Sequence, residues 1–240
     1  MTQSRLPAYA ELHALTNFSF LRGASHPEEL MAHARQLGYH ALAVTDECSL
    51  AGVVRAHTAA GEAEPKFIVG SEISLLDGPE IVLLAMDREG YGELSALITR
   101  GRRRARKGEY ELIRADLEAG VPGCLALLIP RRKRLDTENF SARLSHARWL
   151  KDLFPSGAWI AAELFLEAGD REYLQMLRRL AKGSGLSLVA AGDVHMHCRK
   201  RHMLQDALAA VRLGTTVEAA GLRLHSNGER HLRSRQALAR

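Results

Sequence analysis

The sequence predicts an α/β fold in which seven strands close into a barrel, and three observations carry that prediction. Short apolar runs stop at polar or glycine residues at seven places, and helical patterns fill most of the gaps between them. That alternation means parallel pairing with right-handed crossovers, in an open doubly wound sheet or a closed barrel, of which the seven-stranded barrel is the expectation. A chain of 240 residues, 46% of them hydrophobic, buries a sizeable core and suits one domain.

The strands are expected at Ala10 to Leu12, Ala41 to Val44, Phe67 to Val69, Ile81 to Ala85, Leu125 to Ile129, Trp159 to Ala162 and Leu186 to Ala190. Their length and their valine and isoleucine content fit buried strands. The clearest helix opens at "SHPE", with Ser25 as a hydroxyl N-cap, Pro27 early in the first turn and Glu28 placed to reach back. Leu30, Met31, Ala34 and Leu37 share one face, and Gly38 ends it. Further helices are expected at Tyr91 to Arg106, Phe140 to Phe154, Asp170 to Lys182 and Arg201 to Val211. The segment from Thr215 onward ends in what reads as a helix in progress, so the chain is expected to be a piece of something longer. No internal repeat or low-complexity segment interrupts it.

The N-terminus carries no signal-like apolar stretch, and no apolar run approaches the ~20 residues of a membrane span. A soluble, cytoplasmic protein is expected. Cys48, Cys124 and Cys198 are odd in number and lack CxxC spacing, so neither a disulfide framework nor a thiolate zinc site is signalled.

The net charge is +5, gathered in "RGRRRARK" (Arg100 to Lys107), "RRKR" (Arg131 to Arg134) and "RKRH" (Arg199 to His202). Such clusters suggest polyanion contact, with Arg102, Arg103, Arg104, Arg106 and Lys107 the candidates for nucleic acid. The plainer reading is a solvated surface. Aromatic residues do not interleave the basic runs, which argues against a single-strand stacking platform.

In a parallel α/β barrel, functional groups gather at the carboxyl ends of strands. His13 follows the first strand, Asp46 and Glu47 the second, Glu72 the third, and Asp193 and His195 the last. Imidazoles and carboxylates converging on one rim suit zinc, manganese or iron acting on a phosphoester. Each residue also has a structural reading: His13 as a hydrogen-bonded histidine, "TDE" as the cap of the next helix, and Glu72 as the partner of an arginine.

Taken together, "YAELHALTNFSFLRGASHPEEL", "ALAVTDECSLAGVVRAH", "GSEISL" and "VAAGDVHMH" resemble the polymerase and histidinol phosphatase (PHP) superfamily. Within it, the similarity is to the N-terminal PHP domain of error-prone DnaE-type bacterial DNA polymerases, the ImuC group. The resemblance implies a distorted seven-stranded (β/α) barrel at about residues 9–198 of a single PHP domain. Residues 199–240 would be a helical extension leading into a polymerase region. In metal-binding members, histidines and acids hold up to three ions that hydrolyse phosphoesters.

Carried over by position, His13, Glu47, Glu72, Asp193 and His195 stand at ligand positions, as vestigial candidates with low occupancy. Leu15 replaces the second histidine of the family's HxH, and Arg22 the aspartate of its "DG" pair. Glu47 stands for the histidine of "TDH", Glu80 for a histidine opening the fourth strand, and Arg131 for a cysteine after the fifth. The arginines would place permanent charge at the cation site. Two unit charges ~4 Å apart cost roughly 4 kcal/mol at an effective dielectric near 20, and a divalent ion doubles that. Salt bridges to Glu72, Glu47 or Asp193 would then replace coordination.

The resemblance therefore implies a catalytically degenerate domain with a structural and interaction role, and at most residual zinc or manganese. Its partners would be the polymerase region, an ImuB-like protein, the sliding clamp and DNA, in repair and damage-induced mutagenesis. The alternatives are an active metal-dependent phosphoesterase or 3'-5' exonuclease, and a nucleic-acid-binding module.

Overall fold

The computed structural model describes residues 6–62, 64–118, 120–132 and 139–239. Among the described residues there are seven strands, and their hydrogen-bonded order follows the chain from β1 to β7. They are β1 (Ala10–Glu11), β2 (Ala41–Val44), β3 (Lys66–Ser74), β4 (Glu80–Ala85), β5 (Cys124–Ile129), β6 (Ala158–Ala162) and β7 (Ser187–Ala190). The helices are α1 (Pro27–Gln36), α2 (Val53–Ala60), α3 (Arg88–Arg104), α4 (Arg114–Glu118), α5 (Phe140–Leu153), α6 (Asp170–Ser184), α7 (His202–Arg212), α8 (Val217–Ala220) and α9 (Arg235–Leu238).

All seven expected strands are found, but the pairing is not all parallel. β1–β2, β5–β6 and β6–β7 pair parallel, whereas β3–β4 and β4–β5 are antiparallel. The reason for the first antiparallel pair lies between Ser74 and Glu80. Five residues, "LLDGP", are too few for a parallel crossover, which takes a dozen or more, so β4 must turn back along β3. β3 also runs on to Ser74, so Glu72 lies within the strand and not after it.

The chain divides into two compact units, residues 1–46, 51–68 and 192–240, and residues 47–50 and 69–191. The core of the first is built on Leu30, Met31 and Ala34 of α1 with Tyr39, Leu42, Val44, Ala56 and Leu232. Its α1 begins one residue later than expected. His26 is the N-cap and shares the capping box with Glu29, whose side chain accepts from the His26 N–H at 2.9 Å. Ser25 is drawn off the helix because its Oγ accepts from the His197 N–H at 2.8 Å. Gly38, at φ 68, ends the helix as expected. The C-terminal segment belongs to this unit: Tyr39 donates to Arg233 O at 2.7 Å, and Met196 bridges His231.

The second unit packs β4 to β6 against α3, α5 and α6 through Ile81, Leu83, Leu94, Leu97, Leu128, Leu150, Ile160 and Leu177. Asp87 caps α3 by accepting from the Gly90 N–H at 2.8 Å, and Asn139 caps α5 through Ala142 at 2.9 Å. Gly185, at φ 74, ends α6. Leu112 and Leu117 are fully buried in the loop and helix that follow α3.

Candidate metal centre

In the second unit, the register of the antiparallel strands assembles an acidic pair and its counter-ion. Glu72 faces Val82 and Glu80 faces Ser74, so the two glutamates are diagonal neighbours on one face of β3 and β4. Glu80 also faces Ile129 of β5, and Arg131 lies two residues further on, with the same parity. The strand thus delivers a guanidinium to both carboxylates. Arg131 Nη2 donates to Glu72 Oε2 at 2.8 Å, Nε donates to Glu80 Oε2 at 2.6 Å, and Nη2 also reaches Glu80 Oε1. Burial alone would lower the Arg131 pKa, but Glu72 and Glu80 outweigh it and hold the guanidinium well above its usual range. Glu72 is 1% exposed and Glu80 8%.

Glu47 stands beside this group, since it bridges Glu72 in parallel and Cys48 N–H donates to Glu72 O at 2.8 Å. The Glu47 carboxylate accepts from the Tyr110 hydroxyl at 3.4 Å, and Tyr110 in turn accepts from the Ser74 N–H. Arg102 grips the same turn by its backbone, donating to Glu47 O at 3.0 Å and Cys48 O at 3.1 Å. Cys48 takes a positive φ of 43 there, and burial pushes its thiol up to about 11. Arg104 and Arg100 both turn to Asp116, at 2.6 and 3.7 Å. Three of the basic run's side chains are therefore committed to this unit's own acceptors. Arg103, Arg106 and Lys107 are exposed.

The first unit assembles a second group. β1 and β7 end before His13 and Asp193, and the isolated bridge of Ala14 with Val194 sets those residues side by side. Asp193 takes a left-handed φ of 40, a conformation that aspartate tolerates better than most residues. Its Oδ1 accepts from His195 Nε2 at 2.9 Å and lies 3.9 Å from His13 Nε2. Its Oδ2 is bonded by Arg230 Nη1. His195 N–H donates to Arg230 O at 2.9 Å, which fixes that arginine's place in the chain against Asp193. Arg230 Nε donates to His225 Nδ1 at 3.1 Å, and the His225 ring stands edge-on to His195 at 5.3 Å. Gln205 Nε2 lies 2.6 Å from His195 Nδ1. An amide N–H₂ only donates, so Nδ1 accepts and the ring proton sits on Nε2, toward Asp193.

Asp46 serves the loop after β1. Its carboxylate accepts from Thr16 N–H, Thr16 Oγ1 and Ser19 Oγ at 2.7 to 2.8 Å. Burial pushes its pKa up, while the Ser19 and Thr16 hydrogen bonds oppose that. Arg22 is half-buried in this loop, with its N–H on Ser19 O at 2.9 Å. Leu15 is fully buried, and its N–H donates to Val194 O.

His13, Glu72 and Asp193 are thus buried side chains of ligand type. They are of the residue types that could hold a metal ion, and two of the three, Glu72 and Asp193, each carry an arginine. Glu72 and Glu80 share one guanidinium, Asp193 holds another, and both ring nitrogens of His195 are engaged. Arg131 was expected near a ligand position, whereas Arg230 and Gln205 were not foreseen. Arg230 lies 37 residues from Asp193, in a segment with no motif. Lys133 and Arg134, from the second basic run, lie outside the described residues.

A seven-stranded mixed sheet, with acids and histidines at its strand ends, defines a PHP-type α/β barrel. The chain belongs to the PHP domain family, which it matches over residues 11–168. It is 54% identical over its whole length to an error-prone DNA polymerase of Methylococcus capsulatus, 55% over 98% of its length to one of Dechloromonas aromatica, and 51% to one of Pseudomonas aeruginosa. The chain spans only 22 to 23% of the length of those relatives. Among solved structures it is similar to one named as a metal-dependent phosphoesterase from Bifidobacterium adolescentis, with a TM-score of 0.55 and 16% identity, covering 80% of this chain and 89% of that one. An amidohydrolase from Chromobacterium violaceum with bound sulfate and no metal gives 0.54 and 20%, covering 79% and 88%. These likenesses show the fold that was expected, the distorted barrel of PHP type.

Proposed function

We propose that this chain is the PHP domain of an error-prone translesion DNA polymerase of the DNA polymerase III alpha kind, and that it is a non-hydrolytic domain with a structural and interaction role. The observation that carries the reading is Arg131 seated on Glu72 and Glu80, in a chain whose whole length matches error-prone polymerases. Nucleotide addition would be the work of the rest of the longer protein, whose polymerase region is the first partner. An ImuB-like protein and the sliding clamp are further partners, in cytoplasmic repair and damage-induced mutagenesis. No helix among the described residues is long and apolar enough to cross a membrane, which agrees with that setting.

The solved neighbour named as a metal-dependent phosphoesterase supports the rival reading of an active hydrolase. The test is hydrolysis of p-nitrophenyl phosphate and of a 3'-labelled single strand, with manganese or zinc supplied. No activity above buffer is expected. Hydrolysis that a chelator and His195→Ala both abolish would overturn the non-hydrolytic reading.

A further inference from the structure

We propose that Arg131 and Arg230 are this chain's resident cations, each doing within its own unit what a divalent ion does for the acids of a hydrolytic PHP site. The inference deepens the non-hydrolytic reading and rests on it.

The second unit supplies the stronger case. Strand register places Glu72 and Glu80 on one face as diagonal neighbours, both almost wholly buried. Two carboxylates so placed repel each other and lack the water that would screen them, so keeping both ionised requires a cation between them. Arg131 meets that need from the adjacent strand end with a forked contact, Nε and Nη2 on Glu80 and Nη2 on Glu72. The guanidinium is planar and permanently charged, which suits a fixed two-carboxylate seat better than an ammonium would.

The first unit repeats the solution with different parts. Asp193 is fully buried, and Arg230 bonds the oxygen that His195 does not. The backbone sets Arg230 in place, through His195 N–H on Arg230 O and the bridge of Met196 with His231. A metal ion entering either seat must first displace a guanidinium that the fold itself holds there.

Arg131→Ala removes the resident cation and leaves the seat. The 240-residue chain and this variant are titrated with manganese chloride and zinc chloride by calorimetry, and their melting midpoints are followed with and without the metals. Wild type is expected to show no binding heat and no shift of midpoint. Arg131→Ala is expected to melt lower, to bind at least about tenfold more tightly than wild type, and to recover midpoint with metal. Arg131→Lys, which keeps a charge, should fold and refuse the metals, and it serves if the alanine variant does not fold. Wild type binding as tightly as Arg131→Ala, or Arg131→Lys binding as wild type should not, would overturn the inference. Binding by wild type without hydrolysis sinks this inference alone; chelator-sensitive hydrolysis sinks the functional reading as well.

Discussion

Arg131 Nη2 donates to Glu72 Oε2 at 2.8 Å, tying together the two strands that flank β4. Glu80, on β4 itself, receives the same guanidinium, so one side chain spans three strands of the second unit. Removing the cation and removing one acid should therefore not cost the same. Arg131→Ala leaves two buried carboxylates as diagonal neighbours without their cation and should destabilise by about 3 kcal/mol, the lower end for a buried pair because the arginine is 23% exposed. Glu72→Gln leaves Arg131 paired with Glu80 and should cost roughly 1–2 kcal/mol. Urea unfolding of both variants measures the order, and equal losses would show that the arginine does not organise the pair.

Asp116 gives the chain an acid-sensitive contact. Burial would raise its pKa, but the Arg104 hydrogen bond, the Ile113 N–H at 3.0 Å and the Arg100 charge together hold the carboxyl below its ordinary value. A carboxylate with a depressed folded pKa stabilises above its unfolded value, near about 3.9, and loses that contribution as pH falls through the folded value. Asp116→Asn should lower the melting midpoint at pH 7 and flatten its decline below about pH 4. A decline unchanged in the variant would place the acid sensitivity elsewhere.

The basic run at the end of α3 separates by what each cation holds. Arg102 and Arg104 are engaged with Glu47 O, Cys48 O and Asp116, so reversing their charge should lower stability. Reversal of Arg103, Arg106 and Lys107, which are exposed, should leave stability within about 0.5 kcal/mol. If the run also contacts DNA, that second triple should weaken a salt-sensitive fluorescence anisotropy signal. Unchanged binding would remove nucleic acid as its target.

Gly90 tests how closely α3 is seated. Alanine normally favours a helix interior over glycine by about 1 kcal/mol. Here a Cβ would stand 2.0 Å from Gly123 O, a backbone atom that cannot rotate away. The clash should win, and Gly90→Ala should lose roughly 1–3 kcal/mol in thermal or urea unfolding. A stabilised variant would mean that the helix start yields.

The sequence made the strands legible because each is a short apolar run cut off by polar or glycine residues, and Ala41–Val44 is found with the expected bounds. Strand direction was less legible. The "LLDGP" turn carried the signal for β3–β4, but the long β4–β5 connection, which holds α3 and α4, is compatible with either direction. The bounds of α2 were not legible, since Val53–Ala60 is short and its N-cap is Gly52 and not the "TDE" segment. At the candidate site, His13, Glu72 and Asp193 were legible from their places along the chain. Of the two arginines expected to meet the acids, Arg22 and Arg131, Arg131 bonds Glu72 and Glu80, while Asp193 is bonded by Arg230, which was not foreseen. Arg230 was illegible because a long-range ion pair leaves no periodicity and no spacing to read.

In the reading proposed for this PHP domain, guanidinium groups and not metal ions neutralise its buried acids. Elemental mass spectrometry of the purified, untagged chain after dialysis against zinc, manganese and iron tests it most directly. Near-zero occupancy is expected for all three metals. Stoichiometric metal retained with Arg131 and Arg230 intact would contradict it.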